Sequence, residues 1–133
     1  MRAKILNASA GSGKTYQLAY KYVRDVVEQP SIYRHILAVT FTNKATEEMK
    51  SRILKEIHLL ASGGESSYLE NLCRELDMDA ATVRRRAAEV RSKILHDYSR
   101  FTVLTIDTFF QRILRAFIKE LGIDLNYNVE IET

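Results

Sequence analysis

The chain has 133 residues, of which 46% are hydrophobic and 28% charged, a balance that fits one ordinary globular domain and excludes a disordered chain. Twenty basic residues against seventeen acidic leave a net charge of +3, too mild to indicate a nucleic-acid partner unless the placement of the charges does so. Cys73 is the only cysteine, which excludes an intrachain disulfide and suits a reduced, cytoplasmic setting, and no apolar stretch is long enough to span a membrane.

The chain opens with a short apolar run, residues 3–6, that reads as a strand. Ala8-Ser9-Ala10-Gly11-Ser12-Gly13-Lys14-Thr15 follows directly. That is a phosphate-binding loop in the place such a loop must occupy, between a strand and a helix. Gly11 and Gly13 let the backbone curl so that successive N–H groups, those of Ala10 and Ser12 among them, point inward at phosphate oxygens. The helix that begins near Lys14 adds its positive end. Lys14 can reach the β- and γ-phosphates, and the Thr15 hydroxyl can ligate Mg²⁺. The first loop position, often glycine, is Ala8 here, and a small residue fits where no positive φ is required.

Leu18, Tyr22 and Val26, with Ala19, Val23 and Val27 beside them, form the buried face of that first helix, which Pro30 closes. Residues 36–41 are a continuous apolar run suited to a strand covered on both faces. Residues 43–61 read as a helix with Ala45, Met49, Ile53, Ile57 and Leu60 inward, broken by Ser62-Gly63-Gly64. Ser67 to Glu70 has the form of a capping box opening a short helix through Leu76. Asp79 caps another helix, with Val83, Ala87, Val90 and Ile94 on its inner face. Residues 101–106 are the third expected strand and 108–121 the next helix, with Gly122 where a helix C-terminus favours a left-handed residue. Residues 128–131 are a candidate fourth strand. Alternating strands and helices predict a parallel α/β sheet flanked by helices, with a helical insertion at about 56–100, between the second and third strands.

Two strand ends carry further chemistry. Thr40-Phe41-Thr42-Asn43-Lys44 lies where the second strand meets a helix, on the side of a parallel sheet where ligands bind. Its hydroxyls, amide and helix N-terminus suit phosphate, and Phe41 suits base stacking; the plainer alternative makes Thr42 or Asn43 a helix cap and Phe41 a core residue. At the end of the third strand, Asp107 reads as a helix cap, as a metal-side carboxylate of the Walker B kind, or as part of a DNA-contacting loop with Thr105, Thr108 and Phe109. Arg112, Arg115 and Lys119 on the following helix, and Arg84-Arg85-Arg86 in the insertion, read as solvated surface.

Three segments resemble successive motifs of UvrD/Rep-like superfamily 1 DNA helicases: residues 8–15, residues 38–49 (Ala-Val-Thr-Phe-Thr-Asn-Lys-Ala-Thr-Glu-Glu-Met) and residues 104–110 (Leu-Thr-Ile-Asp-Thr-Phe-Phe). They occur in the family's order across nearly the whole chain, and the form of the first leans toward the RecB/AddA-like helicase–nuclease branch. The resemblance implies a RecA-like ATP-binding fold and ATP-driven translocation on single-stranded DNA with 3′ to 5′ polarity. It gives Lys14 and Thr15 the phosphate and Mg²⁺ roles, lines the DNA track with Thr40, Phe41, Thr42 and Asn43, and adds Thr105 and Phe109 as a second DNA-contacting loop.

Many relatives carry His where this chain has Asp107, and no adenine-reading Gln precedes the loop. No Asp-Glu pair follows a later strand. The expectation is therefore the N-terminal part of a larger helicase: residues 1–133 as a partial ATP-binding domain, completed by C-terminal motor domains, with a nuclease domain or subunit as a further candidate partner. The alternatives are a small P-loop phosphotransferase or nucleoside kinase using Asp107 as its Walker B carboxylate, and a non-catalytic nucleotide-binding module.

Overall fold

The computed structural model describes residues 4–7 and 12–122, with side chains from Tyr16 onward. Three strands, β1 (Lys4–Asn7), β2 (Ile36–Thr40) and β3 (Thr102–Thr105), form a parallel sheet in the order β1-β2-β3. Ile5 pairs with Leu37 and Asn7 with Val39, while Val39 also pairs with Leu104 and Thr40 with Thr105. All three strands therefore end on one rim. Helix α1 (Ser12–Glu28) connects β1 to β2 through a short 3₁₀ segment, Pro30–His35. Between β2 and β3 stand α2 (Asn43–Ser62), α3 (Leu69–Leu76) and α4 (Ala80–His96), and α5 (Ile106–Glu120) follows β3.

Strand periodicity divides the sheet into two faces. Ile36, Ala38, Phe101 and Val103 point into the main core with the inner faces of α1, α2 and α4. All six apolar residues expected on the inner face of α1 are buried, as are Val83, Ala87, Val90 and Ile94 of α4 and Met49, Ile53, Ile57 and Leu60 of α2; Ala45 is half-buried. On the other face Leu37 and Leu104 meet Phe109, Ile113 and Ala116 of α5 across an open groove. That cover is partial: α5 buries none of its residues, and Ile106, Phe110, Ile113, Phe117 and Leu121 leave an exposed apolar stripe along it.

Local signals set most helix ends. Asp79 caps α4, its Oδ1 accepting from Thr82 N at 2.8 Å. Gly63 closes α2 at φ 83°, donating to the Leu59 carbonyl, and Gly122 stands at φ 69° after α5. The expected capping box at Ser67 does not form. Helix α3 begins two residues later, after Tyr68, because Ser66 and Ser67 turn to the buried Glu56 of α2, donating to its carboxylate at 3.1 and 3.2 Å. A carboxylate buried to this degree needs such donors, and that need outweighs a local cap.

The arginine run is also not simply surface. Arg84 donates to the Leu59 and Leu60 carbonyls near the end of α2, and Arg86 donates to the Glu28 carbonyl that ends α1. Cationic side chains at helix C-termini satisfy orphan carbonyls and oppose the helix dipole. Arg85 stays exposed. The candidate fourth strand at 128–131 lies outside the described residues.

Candidate functional site

The rim where the strands end collects the candidate residues. Helix α1 begins at Ser12, two residues earlier than expected, so Ser12, Gly13, Lys14 and Thr15 form its first turn just beyond the C-terminal end of β1. Ala10 and Gly11 lie outside the described residues. The backbone thus sets the N-terminal end of a 17-residue helix against the strand end, the arrangement a phosphate group favours.

One strand spacing away, roughly 5 Å, β2 ends at Thr40 and the chain turns through Phe41 into α2. Thr42 caps α2: its Oγ1 accepts from Ala45 N at 3.0 Å, and its carbonyl accepts from Thr46 N. The cap alternative thus holds for Thr42, and it does not remove the residue from solvent. Phe41 is 48% exposed, which excludes the core alternative for its ring, and Asn43 and Lys44 are exposed beside it. The first amides of α2, at Asn43 and Lys44, have no intrahelical acceptor and face outward at the helix's positive end.

Thr40 departs from its expected place in the DNA track. It is 1% exposed, and its Oγ1 lies 2.6 Å from Thr46 Oγ1 and within reach of the Thr42 and Leu104 carbonyls. Its hydroxyl is spent on holding the turn, so it supports the exposed residues from beneath.

At β3, the helix begins at Ile106 rather than 108, and the cap is Thr105, not Asp107: Thr105 Oγ1 accepts from Thr108 N at 3.2 Å. Asp107 sits half-buried in the first turn of α5, where a carboxylate favours the helix dipole. Because β2 lies between β1 and β3, Asp107 is separated by a whole strand from the end of β1, where α1 begins, which disfavours a Walker B role. Of the two adjacent aromatics, Phe109 is half-buried against Leu37 and Leu104, whereas Phe110 is 59% exposed. Sequence reasoning selected Phe109; only the rotation of α5 about its axis distinguishes the two. Among the described residues no cluster of three His, Cys, Asp or Glu forms a metal site, and no helix is long and apolar enough to cross a membrane.

The family described as "UvrD/REP helicase N-terminal domain" matches residues 2–133. The chain belongs to the UvrD/REP helicase N-terminal domain family. Among its relatives, an ATP-dependent helicase/nuclease subunit of Lactobacillus delbrueckii subsp. bulgaricus is 29% identical over 126 residues, covering 94% of this chain and 9% of the relative. The RecBCD enzyme subunit RecB of Haemophilus influenzae is 30% identical over 142 residues, covering 92% of this chain and 11% of the relative. RecB of Escherichia coli is 29% identical over 127 residues, covering 90% and 11%. No solved structure matches. This UvrD/REP helicase N-terminal domain spans about a tenth of the length of those relatives, its coverage of them being 9 to 11%.

Proposed function

We propose that this chain is the N-terminal ATP-binding portion of a RecA-like motor that couples ATP hydrolysis to 3′ to 5′ movement on single-stranded DNA and to duplex unwinding. The observation that carries the reading is the shared rim: the helix start containing Lys14 and Thr15 and the exposed Phe41–Asn43 turn stand at the C-terminal ends of adjacent parallel strands. A nucleotide at the first and an unpaired strand at the second would be close enough for one to shift the other.

In this reading the first-turn amides of α1, with Ala10 and Gly11 before them, cradle the phosphates, and the Lys14 ammonium offsets their charge as the terminal bond breaks. Thr15 would hold Mg²⁺, which would supply charge neutralisation at the phosphate oxygens. Phe41 supplies a stacking face, and Thr42, Asn43 and the exposed α2 amides grip the DNA backbone. Thr105 holds the start of α5, where Phe109 or Phe110 meets the strand. The water-orienting carboxylate and the arginines that complete such a site would come from further motor domains, which the exposed stripe on α5 is suited to receive. Relatives named as a helicase/nuclease subunit and as a RecBCD enzyme subunit support a nuclease domain or subunit in the same assembly, and the proposed setting is cytoplasmic DNA repair or recombination.

Fluorescence anisotropy with a labelled oligothymidylate tests the DNA half. The expected result is binding that weakens steeply with salt and falls about tenfold with Phe41→Ala. Equal affinity for duplex and single strand, unaffected by Phe41→Ala and Asn43→Ala, would overturn it.

A further inference from the structure

Glu56 is a buried carboxylate that stands apart from both the start of α1 and the Phe41–Asn43 turn. It is 5% exposed and belongs to the buried side of α2, with Ile53, Ile57 and Leu60. Burying a carboxylate costs free energy that an apolar side chain at the same position would not. Two chains of donors converge on its oxygens. The Tyr16 hydroxyl of α1 donates to Ser67 Oγ at 3.1 Å, and Ser67 donates to Glu56 Oε1 at 3.2 Å. The Tyr68 amide donates to Ser66 Oγ at 3.1 Å, and Ser66 donates to Glu56 Oε2 at 3.1 Å. Carboxylate oxygens only accept, so each hydroxyl in the two chains has a single direction open to it.

The longer chain ends at the residue after Thr15, and Tyr16 is gripped there from several sides. Its ring lies 5.3 Å from the guanidinium of Arg52, one turn before Glu56 on α2, and meets the Tyr68 ring edge-on at 5.0 Å. The buried Tyr68 also donates through its hydroxyl to the Tyr16 carbonyl at 3.0 Å. Directional contacts therefore tie the second turn of α1 to the middle of α2. That same α2 starts behind the Phe41–Asn43 turn, and at 1.5 Å per residue Glu56 stands about 20 Å along it from Asn43. Apolar packing is non-directional and lets one helix turn or slide against another, whereas a hydrogen-bonded chain ending on a fixed carboxylate admits one register.

We infer that Glu56 is a positioning residue: through Ser67 and Tyr16 it locks the helix that starts with Ser12 to Thr15 against the helix that starts behind Phe41, so that nucleotide at the first and single-stranded DNA at the second change each other's affinity. The inference rests on the nucleotide and DNA roles proposed above for these two helix starts. A rigid tie passes a small displacement of α1 on to α2, and a loose one absorbs it. By linkage, the factor by which nucleotide changes DNA affinity equals the factor by which DNA changes nucleotide affinity.

The test measures binding of labelled oligothymidylate to the 133-residue chain, without nucleotide and with saturating magnesium and the non-hydrolysable analogue AMP-PNP, and separately the binding of mant-ATP alone. The parent is expected to show roughly a fivefold or larger difference between its two DNA affinities. Tyr16→Phe, which removes only the hydroxyl, and Ser67→Ala are each expected to bind either ligand alone within about twofold of the parent, while the difference falls below about twofold. Ser67→Thr keeps the hydroxyl and should keep the parent's difference. Glu56→Gln presents a donor to one serine in place of an acceptor and should lose it. Should Glu56→Gln not fold, the two hydroxyl variants decide the matter. A difference as large in Tyr16→Phe and Ser67→Ala as in the parent overturns the inference, and so does a parent that binds the two ligands independently; the nucleotide and DNA readings stand in either case. A parent that fails to bind one of the ligands overturns the inference together with the reading of that site.

Discussion

Thr40 and Thr46 meet hydroxyl to hydroxyl at 2.6 Å directly beneath the turn that carries Phe41, Thr42 and Asn43. One residue ends a strand and the other lies in the first turns of the next helix, so this contact fixes the angle at which α2 leaves the sheet. Thr46 also donates to the Thr42 carbonyl at 3.1 Å. Thr40→Val keeps the shape and removes the hydroxyl, and it is expected to cost about 1 kcal/mol in urea unfolding. DNA affinity of the folded variant should stay within about twofold of the parent, since Thr40 is not at the surface. A large loss of affinity with unchanged stability would return Thr40 to the track.

Phe41→Ala should behave in the opposite way. Its ring is 48% exposed, so stability should shift by no more than about 0.5 kcal/mol while oligothymidylate binding weakens.

The adjacent aromatics of α5 separate by the same logic. Phe109→Ala is expected to lower the melting temperature by a few degrees, because the half-buried ring lines the groove between α5 and the Leu37 and Leu104 face of the sheet. Phe110→Ala should leave the melting temperature nearly unchanged and weaken DNA binding if α5 touches the strand. Identical thermal behaviour of the two variants would contradict the packing described.

Arg84 and Arg85 provide a test of the helix-end contacts. Arg84→Ala removes donors from two carbonyls near the end of α2 and should cost about 1–2 kcal/mol in urea unfolding, whereas the exposed Arg85→Ala should stay within about 0.5 kcal/mol.

Asp79 makes stability depend on pH. Hydrogen bonding by the Thr82 side chain, and then by the Thr82 amide, holds the carboxyl below its ordinary value of 3.8. A depressed folded-state pKa adds stability above the unfolded value, lost as pH falls through the folded one. The gap in urea midpoint between the parent and Asp79→Ala should therefore be constant from neutral pH down to about 5 and should narrow below 3.8. A gap independent of pH would mean that the charge plays no part in the cap.

The order of strands and helices, the inner faces of α1, α2 and α4 and the Asp79 cap were all legible in the chain. Each depends on residues within a few positions of one another, where periodicity and capping chemistry act directly. The tertiary structure decided the rest. Thr40 turned inward because Thr46 and the Leu104 carbonyl were there to meet it. Ser67 abandoned its capping box for Glu56, and Arg84 and Arg86 left the solvent for the ends of α2 and α1. Phe109 rather than Phe110 came to line the groove beside the sheet because β2 and β3 lie on that side of α5. A polar or aromatic side chain is bound to whichever complementary group the fold brings within about 3 to 4 Å, and when that group lies far away along the chain, no local pattern marks it.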